Sequence, residues 1–120
     1  MSKDWVKDIV DMQTKYKTHS WVANADVEKL KAFLEFRVNF LQEELDETRT
    51  AQTDIDSEEI VDGLVDLCVV AIGTLDAFGV DPYKAWDAVL EANMAKEPGI
   101  KVGRPNPLGL PDLMKPEGWT

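Results

Sequence analysis

Apolar residues recur every three or four positions through most of the chain, a period that predicts helices rather than strands. Trp5, Ile9, Met12 and Tyr16 form a short amphipathic stripe, so a first helix is expected over about residues 3–18. Residues 20–25 read as a connection. Asp26 then stands where its side chain can cap a second helix by accepting from the free N–H groups of the first turn. In that helix, from about Val27 to Thr48, Leu30, Leu34, Val38, Leu41 and Leu45 make one stripe, which Phe33, Phe36 and Phe40 widen. So broad an apolar face suits a helix inside a bundle. The polar stretch 49–57 is short enough to join antiparallel helices. A third helix is expected to start near Ser57 as its N-cap, with Glu58 and Glu59 favourable in the first turn. From Ile60 to Phe78 it is apolar almost all round, which predicts a central, buried element. Gly79 is its expected stop, and Asp81 followed by Pro82 marks the start of a fourth helix. That helix runs to about Glu97, with Trp86, Val89, Leu90 and Asn93 on one face.

From Pro98 onward glycines and prolines recur too often for a helix, so residues 98–120 read as an irregular tail, either an ordered strap or a flexible end. Nowhere does a period of two persist. The expectation is an all-α fold: a single domain over 1–120, with a four-helix core at about 26–97.

Composition narrows the function. Against 13 basic residues stand 23 acidic ones, a net charge of −10. That balance argues against direct nucleic-acid binding, which needs clustered Lys and Arg, and against anionic membrane surfaces. With hydrophobic residues at 44 %, the chain is no disordered acidic tail. Cys68 is the single cysteine, so one chain can build neither a disulfide framework nor a cysteine zinc site. Neither an apolar leader at the N-terminus nor a membrane-length apolar run is seen, and a cytoplasmic location is expected, the host's cytoplasm if the source is a virus.

The chemistry lies in carboxylates that face the wrong way. Taking Phe33 as origin on an ideal helix, Phe40 falls at about −20°, Glu44 at about +20° and Glu47 at about −40°. Two carboxylates thus continue a phenylalanine stripe that points into the bundle, with Glu43 beside them. Glu59, Asp62 and Asp66 lie within about 60° of one another on the third helix, and the last two are embedded in an apolar run. On its own, Glu43-Glu44-x-x-Glu47 is the ordinary pattern of a solvated helix face. Two inward clusters on consecutive helices are harder to explain so, because an unpaired carboxylate in apolar surroundings protonates, finds a cation or binds a metal. Arg37, two turns before Glu44, is the one obvious local cation. An all-oxygen donor set suits Mg²⁺, or Mn²⁺, which keep waters and bridge to phosphates. A bundle di-iron site needs Glu-x-x-His on two helices, and His19, the single histidine, lies off the inward faces as a surface or loop residue. There is no GxxxxGK[ST] loop and no Ser-His-Asp set.

In order along the chain, the EExxE segment, Asp62-Gly63-Leu64-Val65-Asp66-Leu67, Ile72-Gly73-Thr74, Phe78-Gly79-Val80-Asp81 and Ala92-Asn93-Met94-Ala95-Lys96 resemble the all-α nucleoside triphosphate pyrophosphohydrolases. That superfamily includes MazG-like proteins, dimeric dUTPases, dCTP pyrophosphatases and phosphoribosyl-ATP pyrophosphohydrolases. The resemblance covers roughly Phe33 to Lys96 and is to the small single-domain branch. It implies hydrolysis of an α–β phosphoanhydride to a monophosphate and pyrophosphate, with Mg²⁺ held by the acidic motifs and a homodimer or homotetramer as the assembly. Carried over by position, Glu44, Glu47, Asp62 and Asp66 become metal ligands, and Glu43 or Glu59 the group that takes a proton from the attacking water. Many relatives place a Glu three residues before the position of Asp66, where this chain has Gly63. Asn93 is implied to contact sugar or base and Lys96 a phosphate, with Lys101 and Arg104 folding over the phosphates. The expected activity is that of a (d)NTP pyrophosphohydrolase. Phosphoribosyl-ATP hydrolysis is the rival enzyme reading, and a non-catalytic acidic helical interaction protein is the rival from another class.

Overall fold

The computed structural model describes residues 3–115, in two compact units that divide at Pro82 and Tyr83. The first unit holds α1 (Trp5–Lys15), α2 (Thr18–Ala23), α3 (Val27–Thr53) and α4 (Ser57–Ala77). The second holds α5 (Pro82–Ala95) and two short strands, β1 (Glu97–Gly99) and β2 (Asp112–Met114). The expected all-α class is right.

In the first unit α3 and α4 form a long antiparallel hairpin, with α1 and α2 lying against α4. Ile9, Ala51, Val70 and Ala77 are its buried apolar residues, and Gly63 and Gly73 are buried with them. The two glycines are where the helices touch. A Cβ at Gly63 would collide with the Thr48 hydroxyl on α3. One at Gly73 would come within 2.6 Å of Gln13 Nε2 and 2.9 Å of the Arg37 guanidinium. Gln13, buried on α1, donates to the Gly73 carbonyl at 2.7 Å. Arg37 donates from α3 to Thr74 Oγ1 at 2.9 Å and to the Val70 carbonyl at 3.1 Å, with Phe33 and Phe40 against its guanidinium. Both polar side chains are thus stitches across the helix seam.

The expected first helix is two. Lys17 takes a left-handed conformation, φ 59°, which ends α1 and lets α2 start at Thr18, inside the stretch read as a connection. Six residues are too few to display a helical period, and α2 is instead held by long-range contacts. His19 Nε2 lies 2.6 Å from Asp76 Oδ2 on α4, and the Trp21 ring lies 5.4 Å from Phe33.

α3 runs to Thr53, beyond the expected end at Thr48, because its last threonines turn their hydroxyls back onto the helix. Thr48, Thr50 and Thr53 donate to the carbonyls of Glu44, Asp46 and Arg49, which satisfies them without a loop. The stop is a Schellman turn. Ile55, at φ 54°, donates to the Gln52 carbonyl and Asp56 to that of Ala51. Asp56, rather than Ser57, caps α4 by accepting from the Glu59 N–H. Gly79 ends α4 as expected, at φ 76°, with its N–H on the Asp76 carbonyl and that of Val80 on Leu75. α4 is not buried all round: Val61, Leu64, Val65, Cys68 and Leu75 are exposed.

Pro82 opens α5 at its first position. In the tail after it β1 and β2 pair as an antiparallel ribbon, Glu97 opposite Met114 and Gly99 opposite Asp112; the rest of the expected tail, 116–120, lies outside the described residues. Asp112 ties the intervening loop, accepting from Arg104 at 2.8 Å and from the Lys101 N–H at 3.3 Å.

Candidate active site

Antiparallel packing of α3 on α4 sets two carboxylates face to face. On α3, Glu44 lies between Arg37 and Thr48; on α4, Asp66 lies between Val70 and Gly63. Those flanking residues are the contact points of the seam, so Arg37 with Val70 and Thr48 with Gly63 bracket the pair. Both carboxylates are half-buried, and Oε2 of Glu44 is fully buried with no hydrogen-bond partner. A buried charged oxygen without a partner is costly, and among the described residues no ion pair offsets it. Arg37, the expected candidate, is spent on Thr74 and Val70 instead.

The electrostatics show the rest of the cluster. Burial pushes the Glu44 carboxyl above the usual carboxylate range, and Glu47, Asp66, Asp62 and Glu43 push it further, in that order. Asp66 is likewise raised, by burial first and then by the charge of Asp62, one turn away, and a hydrogen bond between the two carboxyls. Glu59 and Glu47 line one small recess of about 290 Å³ at the end of the hairpin, together with Thr50, Ala51, Asp54 and Asp56. The six acidic residues expected from the sequence are therefore gathered along one seam. Glu43, Glu47, Glu59 and Asp62 are exposed, however, so the cluster opens to solvent rather than into the core.

As these side chains lie, no three carboxylate, imidazole or thiolate groups among the described residues are converged to hold a metal ion. The donor chemistry nonetheless fits a hard divalent cation: oxygen ligands only, mutually repelling, with one buried oxygen unsatisfied. Carboxylates crowded together with no counter-ion among them repel, and a cation is what would draw them together.

Gly63 explains the departure from the common acidic pattern. The position is a close helix contact, so a glutamate there would displace Thr48 and part α3 from α4.

Within the second unit, Lys96 Nζ donates to Asn93 Oδ1 at 3.1 Å, and Arg104 is paired with Asp112. Asn93 and Lys96 are half-buried, while Lys101 and Arg104 are exposed. The sequence pattern did not single out Gln13, although it falls one turn after Ile9 on an apolar stripe, a polar residue where a core residue was due.

Over residues 10–93 the chain matches the sequence model of a family described as phosphoribosyl-ATP pyrophosphohydrolase. That family belongs to the MazG-like all-α nucleoside triphosphate pyrophosphohydrolase superfamily, and the helical fold agrees with it. The chain belongs to the phosphoribosyl-ATP pyrophosphohydrolase family, and so is a hydrolase acting on a nucleotide phosphoanhydride. That membership sets aside the non-catalytic interaction protein. Comparison with curated proteins gives no match, and neither does comparison with solved structures.

Proposed function

We propose that this protein is a metal-dependent nucleoside triphosphate pyrophosphohydrolase, cleaving a (d)NTP to a (d)NMP and pyrophosphate. The observation that carries the reading is Glu44: a carboxylate with a buried, unpartnered oxygen, surrounded by Glu47, Asp62, Asp66 and Glu43. Glu44, Glu47, Asp62 and Asp66 are the residues to hold Mg²⁺ or Mn²⁺. Bound there, the ion supplies positive charge to phosphate oxygens and acidifies the attacking water. Glu43, exposed beside the ligands, or Glu59, on the recess it shares with Glu47, accepts the proton as the water oxygen bonds to phosphorus and the bridging P–O bond breaks. A chain of net charge −10 takes a polyanion only through such a cation.

The family match favours a second reading, phosphoribosyl-ATP as the substrate. Its extra phosphate monoester adds negative charge that this acidic chain would also have to offset, so the plain triphosphate is preferred. The test is a panel of NTPs, dNTPs and phosphoribosyl-ATP with Mg²⁺, products separated by anion exchange. Monophosphate with pyrophosphate from a (d)NTP supports the proposal. Turnover of phosphoribosyl-ATP alone selects the second reading, and release of orthophosphate alone, or no turnover of any nucleotide, sinks both. Glu47→Gln should abolish turnover while leaving the helical circular-dichroism spectrum intact; an unchanged rate removes Glu47 from the ligand set.

The assembly is proposed to be a homodimer or homotetramer. No single described helix is long and apolar enough to cross a membrane.

A further inference from the structure

We propose that an aromatic recess on the first unit, between α2 and the first half of α3, binds the base of the nucleotide whose phosphates meet the carboxylate seam; this rests on the pyrophosphohydrolase reading. The recess measures about 480 Å³, within the range of small-ligand sites, and its walls include Tyr16, Lys17, Thr18, Trp21, Phe33 and Phe36. Three of its rings are largely open to solvent: Tyr16 is 68 % exposed, Trp21 49 % and Phe36 60 %. Aromatic faces so presented are stacking platforms for a heteroaromatic ring. Their positions are firm. Trp21 rests on Phe33, which in turn lies 5.5 Å from Phe78, and Phe36 lies edge-on to Phe40 at 6.3 Å. Thr18 Oγ1 donates to Gln13 Oε1 at 3.1 Å, which ties the rim to the buried stitch on Gly73. Lys17 adds a cationic donor for the polar edge of a base.

The occupant follows from where the recess sits. Phe36 and Glu44 are eight residues apart on one uninterrupted helix, a rise of about 12 Å. Measured from Phe33, Phe36 projects at about −60°, between Glu47 at about −40° and Glu43 at about −80°. Recess and exposed carboxylates thus share one side of α3. A ligand lying along that side, with an apolar ring at one end and a polyanion at the other, is a nucleoside triphosphate.

The experiment compares a dNTP with methyl triphosphate, which carries the phosphates and no base. In Phe36→Ala the ratio of kcat/KM for the dNTP over methyl triphosphate should fall about tenfold, the scale of one lost base–aromatic contact, and Phe36→Trp should restore it. An unchanged ratio, with pyrophosphate still released, overturns the base recess and leaves the pyrophosphohydrolase reading standing. If no nucleotide is hydrolysed, the comparison is made by calorimetric binding of an α,β-methylene dNTP. A tenfold weaker Kd in Phe36→Ala then supports the recess, and an equal Kd overturns it. Should Phe36→Ala instead lower the oligomer's mass with the ratio unchanged, a second copy covers these rings and the proposal fails.

Discussion

Glu44 is the residue on which folding and chemistry conflict. Its carboxyl is raised above the ordinary range by burial and by four neighbouring acids, and one of its oxygens has no partner. Neutralising it removes repulsion from the folded chain and takes a donor from the site. Glu44→Gln should therefore raise the metal-free melting temperature by about 2–4 °C, the effect of somewhat under 1 kcal/mol on a domain of this size. Activity should fall by more than the roughly 10–100-fold that loss of a supporting partner costs a metal site. A variant that melts lower and works normally would contradict both. The same group sets a pH dependence. Glu44 and Asp66 have raised pKa values in the folded state, so the native chain holds more protons than the unfolded one. Stability then declines as pH rises. The contribution is full below the ordinary carboxylate range and is lost as pH climbs through the raised values. Melts in EDTA from about pH 4 to about pH 7 should show the decline, flattened in Glu44→Gln, with Mg²⁺ restoring stability at the upper end. A flat wild-type profile counts against the cluster.

Among the elements, what the sequence disclosed depended on whether a residue's partner was local. The inward aim of Glu44 and Asp66 was readable because each continues an apolar stripe on its own long helix. The end of α3 was misplaced because its threonines look like loop residues until their hydroxyls are seen bonded four residues back. α2 was missed because its support comes from Asp76 and Phe33, far along the chain. Gly63 looked like a lost ligand and proved to be a contact. Its role gives a prediction. Gly63→Ala gains up to about 1 kcal/mol of helix propensity, and forces the Thr48 hydroxyl off its bond to the Glu44 carbonyl. Overpacking of this kind typically costs about 1–3 kcal/mol, so chemical denaturation should show a net loss. Thr48→Ala in the same chain should relieve part of it. A Gly63→Ala protein more stable than wild type would mean that the helices do not meet there.

At the level of the whole molecule, the exposed side of α4 bears on the proposed assembly. Gly63, Asp66, Val70, Gly73 and Ala77 occupy the side toward α3 and α1. On the opposite side Val61, Leu64, Cys68, Ala71 and Leu75 fall within about 80° of one another on an ideal helix, an uncharged stripe running about 21 Å. Val61 is 62 % exposed, Leu64 52 % and Leu75 39 %, and Cys68 and Ala71 are exposed with them. A continuous apolar strip of this length is a candidate interface for the proposed assembly. A second copy of this chain would match it, because a two-fold axis packs a patch against itself and needs no separate complementary surface. Cys68 lies midway between Val61 and Leu75, so the axis that best overlaps two stripes brings the two Cys68 side chains together. Sedimentation at micromolar concentration should give a dimer or tetramer, and Leu64→Glu with Leu75→Glu should yield a monomer that keeps its helical spectrum. Mild oxidation of the wild type should produce a covalent dimer through Cys68, suppressed in the double variant. A monomeric wild type refutes the assembly itself. An oligomer unaffected by both substitutions and not linked through Cys68 moves the interface off α4.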